Sequence, residues 1–116
     1  MGSARITPEL SAEMSALRKA GRAEARLAVV IAVEPPAESA GARDVEAMAA
    51  AIRAAQEPVV RRLAQLGVTR LRRQAIASAV EAELTPAQIE AVADEPTVRR
   101  LMLDRVVKVT AEHQWQ

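Results

Sequence analysis

Apolar positions change their spacing several times along this chain, and each change predicts an element. Leu10, Met14 and Leu17 recur at helical intervals behind Thr7-Pro8-Glu9. That tripeptide supplies an N-cap, a proline at the first helical position and an acid in the first turn. Arg18, Lys19 and Arg22 lie toward the cation-favouring end, so the pattern predicts a short amphipathic helix ending near Gly21. From Leu27 to Val33 the period drops to two. Leu27, Val29, Ile31 and Val33 alternate with Ala28, Val30 and Ala32, and both sets are apolar, as in a strand covered on both sides. Glu34-Pro35-Pro36 ends it, and a loop of small residues including Ser39 and Gly41 runs to Arg43.

Asp44 is placed to cap a long helix that carries Val45, Met48, Ile52, Val59, Leu63 and Leu66 on roughly one face. Pro58 should kink or divide it, and Gly67 closes it as a C-terminal glycine. Val68 to Leu84 reads as extended: Leu71 among Arg70, Arg72 and Arg73, then Ile76, Ser78, Val80, Ala82 and Leu84 alternating with Ala75, Ala77, Ala79, Glu81 and Glu83. A tight reversal is expected between Arg73 and Ile76, without a Gly or Asn to pin it. Thr85-Pro86-Ala87-Gln88 starts a further helix with a capping box. Ile89 and Val92 face inward there, and Asp94-Glu95-Pro96 stops it. Val98 to Val109 predicts a last extended segment. The expected fold is therefore α+β, ferredoxin-like (βαββαβ), with an antiparallel sheet, helices Asp44 to Leu66 and Pro86 to Val92 on one face, and an extra N-terminal helix. Residues 1–25 form that helix and an arm, 26–110 the domain, and 111–116 a flexible tail.

Composition narrows the function. With 116 residues the chain has the length of one domain. Half its residues are apolar, yet it has no Phe or Tyr and Trp115 is the only aromatic. The core must be aliphatic and alanine-rich, and deep ligand pockets are not expected without aromatic walls. Trp115 reads as an anchor for a partner's pocket or as a plain terminal residue. The net charge of +1 offers no strong field to nucleic acid or to an anionic membrane. No apolar run approaches a membrane span. Zero cysteines exclude a disulfide framework, a thiol nucleophile and a thiolate metal site, and fit a reducing compartment. The start lacks an apolar leader pattern, so the sequence reads as cytoplasmic, and as secreted only if a leader has been removed.

Candidate chemistry is sparse. His113 is the only histidine and has no cysteine or acid triad near it, and Ser3, Ser11, Ser15, Ser39 and Ser78 show no nucleophile-elbow pattern. Asp44, Glu81, Glu83 and Asp94 read as caps or solvated charges rather than a metal cage. Arg70, Arg72, Arg73, Arg99 and Arg100 could form a basic stripe, but RNA-binding sheets pair such stripes with aromatics, and here a solvated face is expected. No catalytic, cofactor or metal residue is assigned, and the chain is read as a binding protein rather than an enzyme. The stronger signal is the second face of the sheet. Two helices cover one side only, yet Ala28, Val30 and Ala32, with Ala75, Ala77 and Ala79, are apolar on the other. Such a face is an interface, to be covered by residues 8 to 22, by a second copy in a homodimer, or by a foreign partner. Val30, Ala77 and Ala79 are its candidate contacts.

The ordered combination of Leu-Gly-Val-Thr-Arg-Leu at 66–71, the small-residue strand and Thr-Pro helix of 75–92, and Glu95-Pro96-Thr97-Val98 followed by Asp104 resembles the propeptide inhibitor domain of subtilisin-type serine proteases. The similarity covers roughly residues 26 to 110. It implies that the open sheet face packs on two surface helices of the protease, and that Asp104 caps one of them through its orphan N–H groups and dipole. It further implies that Arg105, Val106, Val107, Lys108, Val109 and Thr110 run extended into the active-site cleft. The family commonly has a second acid two residues before the aspartate; here that position is Met102. The expectation is a stand-alone inhibitor or folding chaperone with a subtilisin-like protease as partner and no cofactor.

Overall fold

The computed structural model describes residues 5–34, 45–74 and 78–104. Its elements are α1 (Pro8–Lys19), β1 (Leu27–Val33), α2 (Val45–Gln65), β2 (Leu71–Arg73), β3 (Ala79–Leu84), α3 (Pro86–Ala93) and β4 (Val98–Leu103). The fold is α+β: a four-stranded sheet in the order β2-β3-β1-β4, antiparallel at each junction, with three helices. Antiparallel pairing throughout makes β1 parallel to β2 and β3 parallel to β4. Each helical crossover, through α2 and through α3, therefore spans an intervening strand.

The start and stop signals at Thr7-Pro8, Gly21, Gly67 and Thr85-Pro86 act as the sequence predicts, while Asp44, the expected cap of α2, lies outside the described residues. Thr7 accepts from the Leu10 N–H at 3.4 Å with Pro8 at the first helical position. Thr85 and Gln88 form the reciprocal capping box, at 2.9 and 3.3 Å. The Gln88 amide also donates to the Leu66 carbonyl at 3.2 Å and so satisfies one orphan carbonyl at the end of α2. Both α1 and α2 end in a Schellman motif. Arg22 N–H reaches Leu17 and Gly21 N–H reaches Arg18; Val68 N–H reaches Leu63 and Gly67 N–H reaches Ala64. The motif needs a left-handed residue, and Gly21 and Gly67 supply it with φ of 71° and 79°. Pro58 does not divide α2, which runs as one element from Val45 to Gln65. Val45, expected on the inward face, is 74% exposed, because packing against the sheet begins only further along the helix.

One hydrophobic cluster joins all three helices to the same sheet face. It holds Leu10 and Met14 from α1, Val59 and Leu63 from α2, and Ile89, Val92 and Ala93 from α3. Against them lie Val29, Ile31, Val33, Val80, Ala82, Leu84, Val98 and Leu101 of the sheet. Residues 8 to 22 thus lie with the other helices and not on the second face. Around them the N-terminal segment is tied to β4 and α3. Ile6 bridges Leu101, the Thr7 N–H donates to the Leu101 carbonyl, and the Arg5 guanidinium donates to the carbonyls of Ala93 and Glu95. Ala93 is the last residue of α3 and Glu95 lies just beyond its cap, where a cation is favoured by the helix dipole.

The extended segment 68–84 divides differently from expectation. β2 spans only three residues, and β3 begins at Ala79 rather than at Ile76. The ladder closes where the Gln74 N–H donates to the Ala79 carbonyl. Ala75, Ile76 and Ala77 lie outside the described residues. A buried amide decides this register. Gln56, 1% exposed in the middle of α2, donates from Nε2 to the carbonyls of both Gln74 and Ala79 at 2.9 Å. Of the last expected segment, Val98 to Val109, β4 accounts for Val98–Leu103.

Candidate protein-interaction face

The registers place the second face residue by residue. Along the central strand β1 it carries Ala28, Val30 and Ala32, because Val29 and Ile31 point into the core. Opposite them on β3 stand Glu83, Glu81 and Ala79; on β4, Met102 faces Val30 and Arg100 faces Ala32. Arg72 of β2 faces Glu81. Ala28, Val30, Ala32, Ala79 and Met102 are each half-buried. Among the described residues no helix lies on this side. The middle of the face is therefore an apolar band of short side chains whose remaining exposure has no covering element.

Beyond β4, the Asp104 N–H donates to the Ala28 carbonyl at 2.9 Å, which continues the register by one pair and places Asp104 on this same face. Asp104 is buried, at 9% exposure. It lines a shallow depression of about 310 Å³ together with Ala28, Arg70, Arg72, Glu81 and Glu83. At the other end a depression of about 390 Å³ is lined by Ala32, Val33, Ser78, Arg99, Arg100 and Met102. Val30 lies between the two.

Charge is distributed unevenly over this surface. The five arginines weighed as a stripe, and expected instead to be solvated, are dispersed. Arg73 turns to the helix side, where its guanidinium donates to Gln56, to the Arg53 carbonyl and to Glu57 at 2.8 Å. Arg70 makes a loose pair with Glu83 at 3.9 Å, and Arg99 pairs with Glu34 at 3.1 Å, both groups well exposed. Glu81 accepts from the Gln74 amide. The register of β1 and β4 shifts between Ala32 and Val33, making Arg99 the extra residue of a bulge. Without the shift, alternation would turn Arg99 toward the core; with it, Val98 and Leu101 are buried and both Arg99 and Arg100 reach solvent. Nothing in the sequence marked this bulge.

Of the expected contacts, Val30 and Ala79 are therefore on the second face and Asp104 at its end. Ala77, Val106, Val107, Lys108, Val109 and Thr110 lie outside the described residues. The sequence reading missed the charged corners, Glu83 and Arg100, because strand pairing alone brings them onto one face. A larger depression of about 590 Å³ lies between α2 and the β2–β3 hairpin and is lined by Glu46, Arg53, Gln56, Glu57, Arg73 and Gln74, among others. Gln56, Glu57, Arg73 and Gln74 spend their polar groups there on holding the hairpin, so it reads as part of the scaffold. No group of three or more His, Cys, Asp or Glu side chains able to hold a metal occurs among the described residues. No described helix is long and apolar enough to cross a membrane. No protein-family model matches the chain, and no curated protein or solved structure matches it.

Proposed function

We propose that this chain is a non-enzymatic protein-binding module of ferredoxin-like topology that engages a subtilisin-type serine protease as inhibitor and folding chaperone. The single observation that carries the binding role is the sheet face that no helix covers among the described residues. Three helices crowd one side of the sheet, while Ala28, Val30, Ala32, Ala79 and Met102 line the other with exposed apolar area. An apolar surface of this kind marks an interface. The topology is supported by the two crossovers, each split by one strand, in the order β2-β3-β1-β4.

The protease as partner follows from the resemblance of residues 26 to 110. Short side chains let a helix approach the sheet closely, and Asp104 stands at the exit of β4 on that face, where a capping acid belongs. Met102 replaces the family's second acid and extends the apolar band, shifting the contact from polar clamp toward burial. The chain from Arg105 to Thr110 then enters the cleft as an added strand.

The test is inhibition of a panel of subtilisin-type proteases by the full-length protein. Inhibition at micromolar concentration is expected, and it should fall when residues 106–116 are deleted, because the sheet face alone leaves the cleft open. Asp104→Ala should weaken binding by about 0.5–2 kcal/mol, the usual worth of a helix cap. No inhibition by the folded protein across the panel removes the protease as partner.

A further inference from the structure

The sheet face is self-complementary, and we propose that in the absence of its partner it is occupied by a second copy of this chain. The inference rests on reading that face as a docking surface, and it adds a regulation: self-association withholds the surface a protease would use. The geometry follows from strand order and register. β1 is central, with β3 on one side and β4 on the other. Glu83 lies across from Ala28 on β3, while Arg100 lies across from Ala32 on β4. These charges stand at opposite corners of the face, displaced in opposite directions from Val30 both along the strands and across them.

A two-fold axis lying between two such faces, passing over Val30 at right angles to that diagonal, exchanges the corners. It sets Arg100 of each copy against Glu83 of the other, giving two symmetric ion pairs from one pair of residues, as an isologous interface requires. The same operation lays Val30 on Val30, brings Met102 near Ala28 of the partner, and sets Glu81, which accepts from the Gln74 amide, over Ala32 of the partner. The two sheets then cross steeply, toward the orthogonal class of sheet packing. Both corners are free to respond. Among the described residues no ion pair holds Arg100, and Glu83 has only the loose Arg70 contact at 3.9 Å. Glu83 lines one of the two end depressions and Arg100 the other, giving each side chain a concavity to enter.

The experiment is sedimentation equilibrium of the full-length protein from micromolar to millimolar concentration, alongside the protease inhibition assay. A monomer–dimer equilibrium is expected. Arg100→Glu and Glu83→Arg should each raise the dimer Kd by about tenfold or more, since each places like charges at both corners. The double swap Arg100→Glu/Glu83→Arg should restore dimerisation, because it recreates both pairs with reversed sign. Val30→Arg should abolish the dimer with an unchanged circular dichroism spectrum. A wild-type protein that stays monomeric throughout, or a double swap that fails to rescue while folded, overturns the proposal. Inhibition is scored separately, at concentrations below the dimer Kd where the face is free: a protein that dimerises at higher concentration yet inhibits no protease as monomer sinks the protease reading alone, and one that inhibits but never dimerises sinks the self-association alone.

Discussion

Gln56 holds Ala79 in place from across the fold: its side-chain nitrogen donates at 2.9 Å to the Ala79 carbonyl and, equally, to the carbonyl of Gln74. One amide in the middle of α2 thus clamps both ends of the β2–β3 connection, while Arg73 donates to its oxygen at 3.3 Å. Burial of the group, at 1% exposure, requires these bonds, since an unpaired buried amide is costly. Gln56→Leu keeps the volume but strips the carbonyls of a donor. The expected loss is about 1–3 kcal/mol, read as a lower urea midpoint with an unchanged slope.

The N-terminal helix is expected to contribute to stability like any core element. Leu10 is fully buried and Met14 nearly so, both in the cluster that contains Ile31 and Leu101. Leu10→Ala should cost about 2–5 kcal/mol, a cavity-forming loss. A detached arm would show no change in thermal midpoint, so the measurement separates the two cases.

The two Schellman glycines should respond alike to substitution. A Cβ at Gly21 or Gly67 meets no atom within 4 Å, yet both residues have φ near the left-handed region. Gly21→Ala and Gly67→Ala are each expected to cost about 1–2 kcal/mol through backbone strain alone. Gly67→Asn should lose less, since Asn visits that conformation more readily. Chemical denaturation of the three variants provides the ranking.

The capping box of α3 should matter beyond its own helix. Thr85→Ala removes the bond to the Gln88 N–H and is expected to cost about 0.5–2 kcal/mol. Gln88→Ala should cost more, because the same side chain also donates to Leu66 at the end of α2. Amide hydrogen exchange should then quicken at the C-terminal turn of α2 in Gln88→Ala and stay unchanged there in Thr85→Ala.

Much of the fold was legible because its signals are local. A Thr-Pro start at 7–8 and at 85–86, a glycine after Leu66, and the period-two run 27–33 each act through backbone sterics or hydrogen bonds within a few residues. Those elements appear where the sequence placed them. The second face was legible in part, since β1 is apolar on both its sides and Val30 and Ala79 stand on the side away from the helices.

What the amino-acid sequence determined by itself, then, was the nature of the elements and the apolar character of β1 on both its sides. Tertiary structure alone decided which side α1 covers, because Leu10 and Met14 are equally apolar toward either. It decided where the hairpin turns, because the donor that holds Gln74 and Ala79 comes from Gln56, far along the chain. It decided, through a bulge at Arg99, that two consecutive arginines both reach solvent, and it set Arg100 and Glu83 at opposite corners of one surface. Each of these depends on pairing between distant segments, and the free energy of such pairing is a property of the assembled sheet and not of any window of sequence.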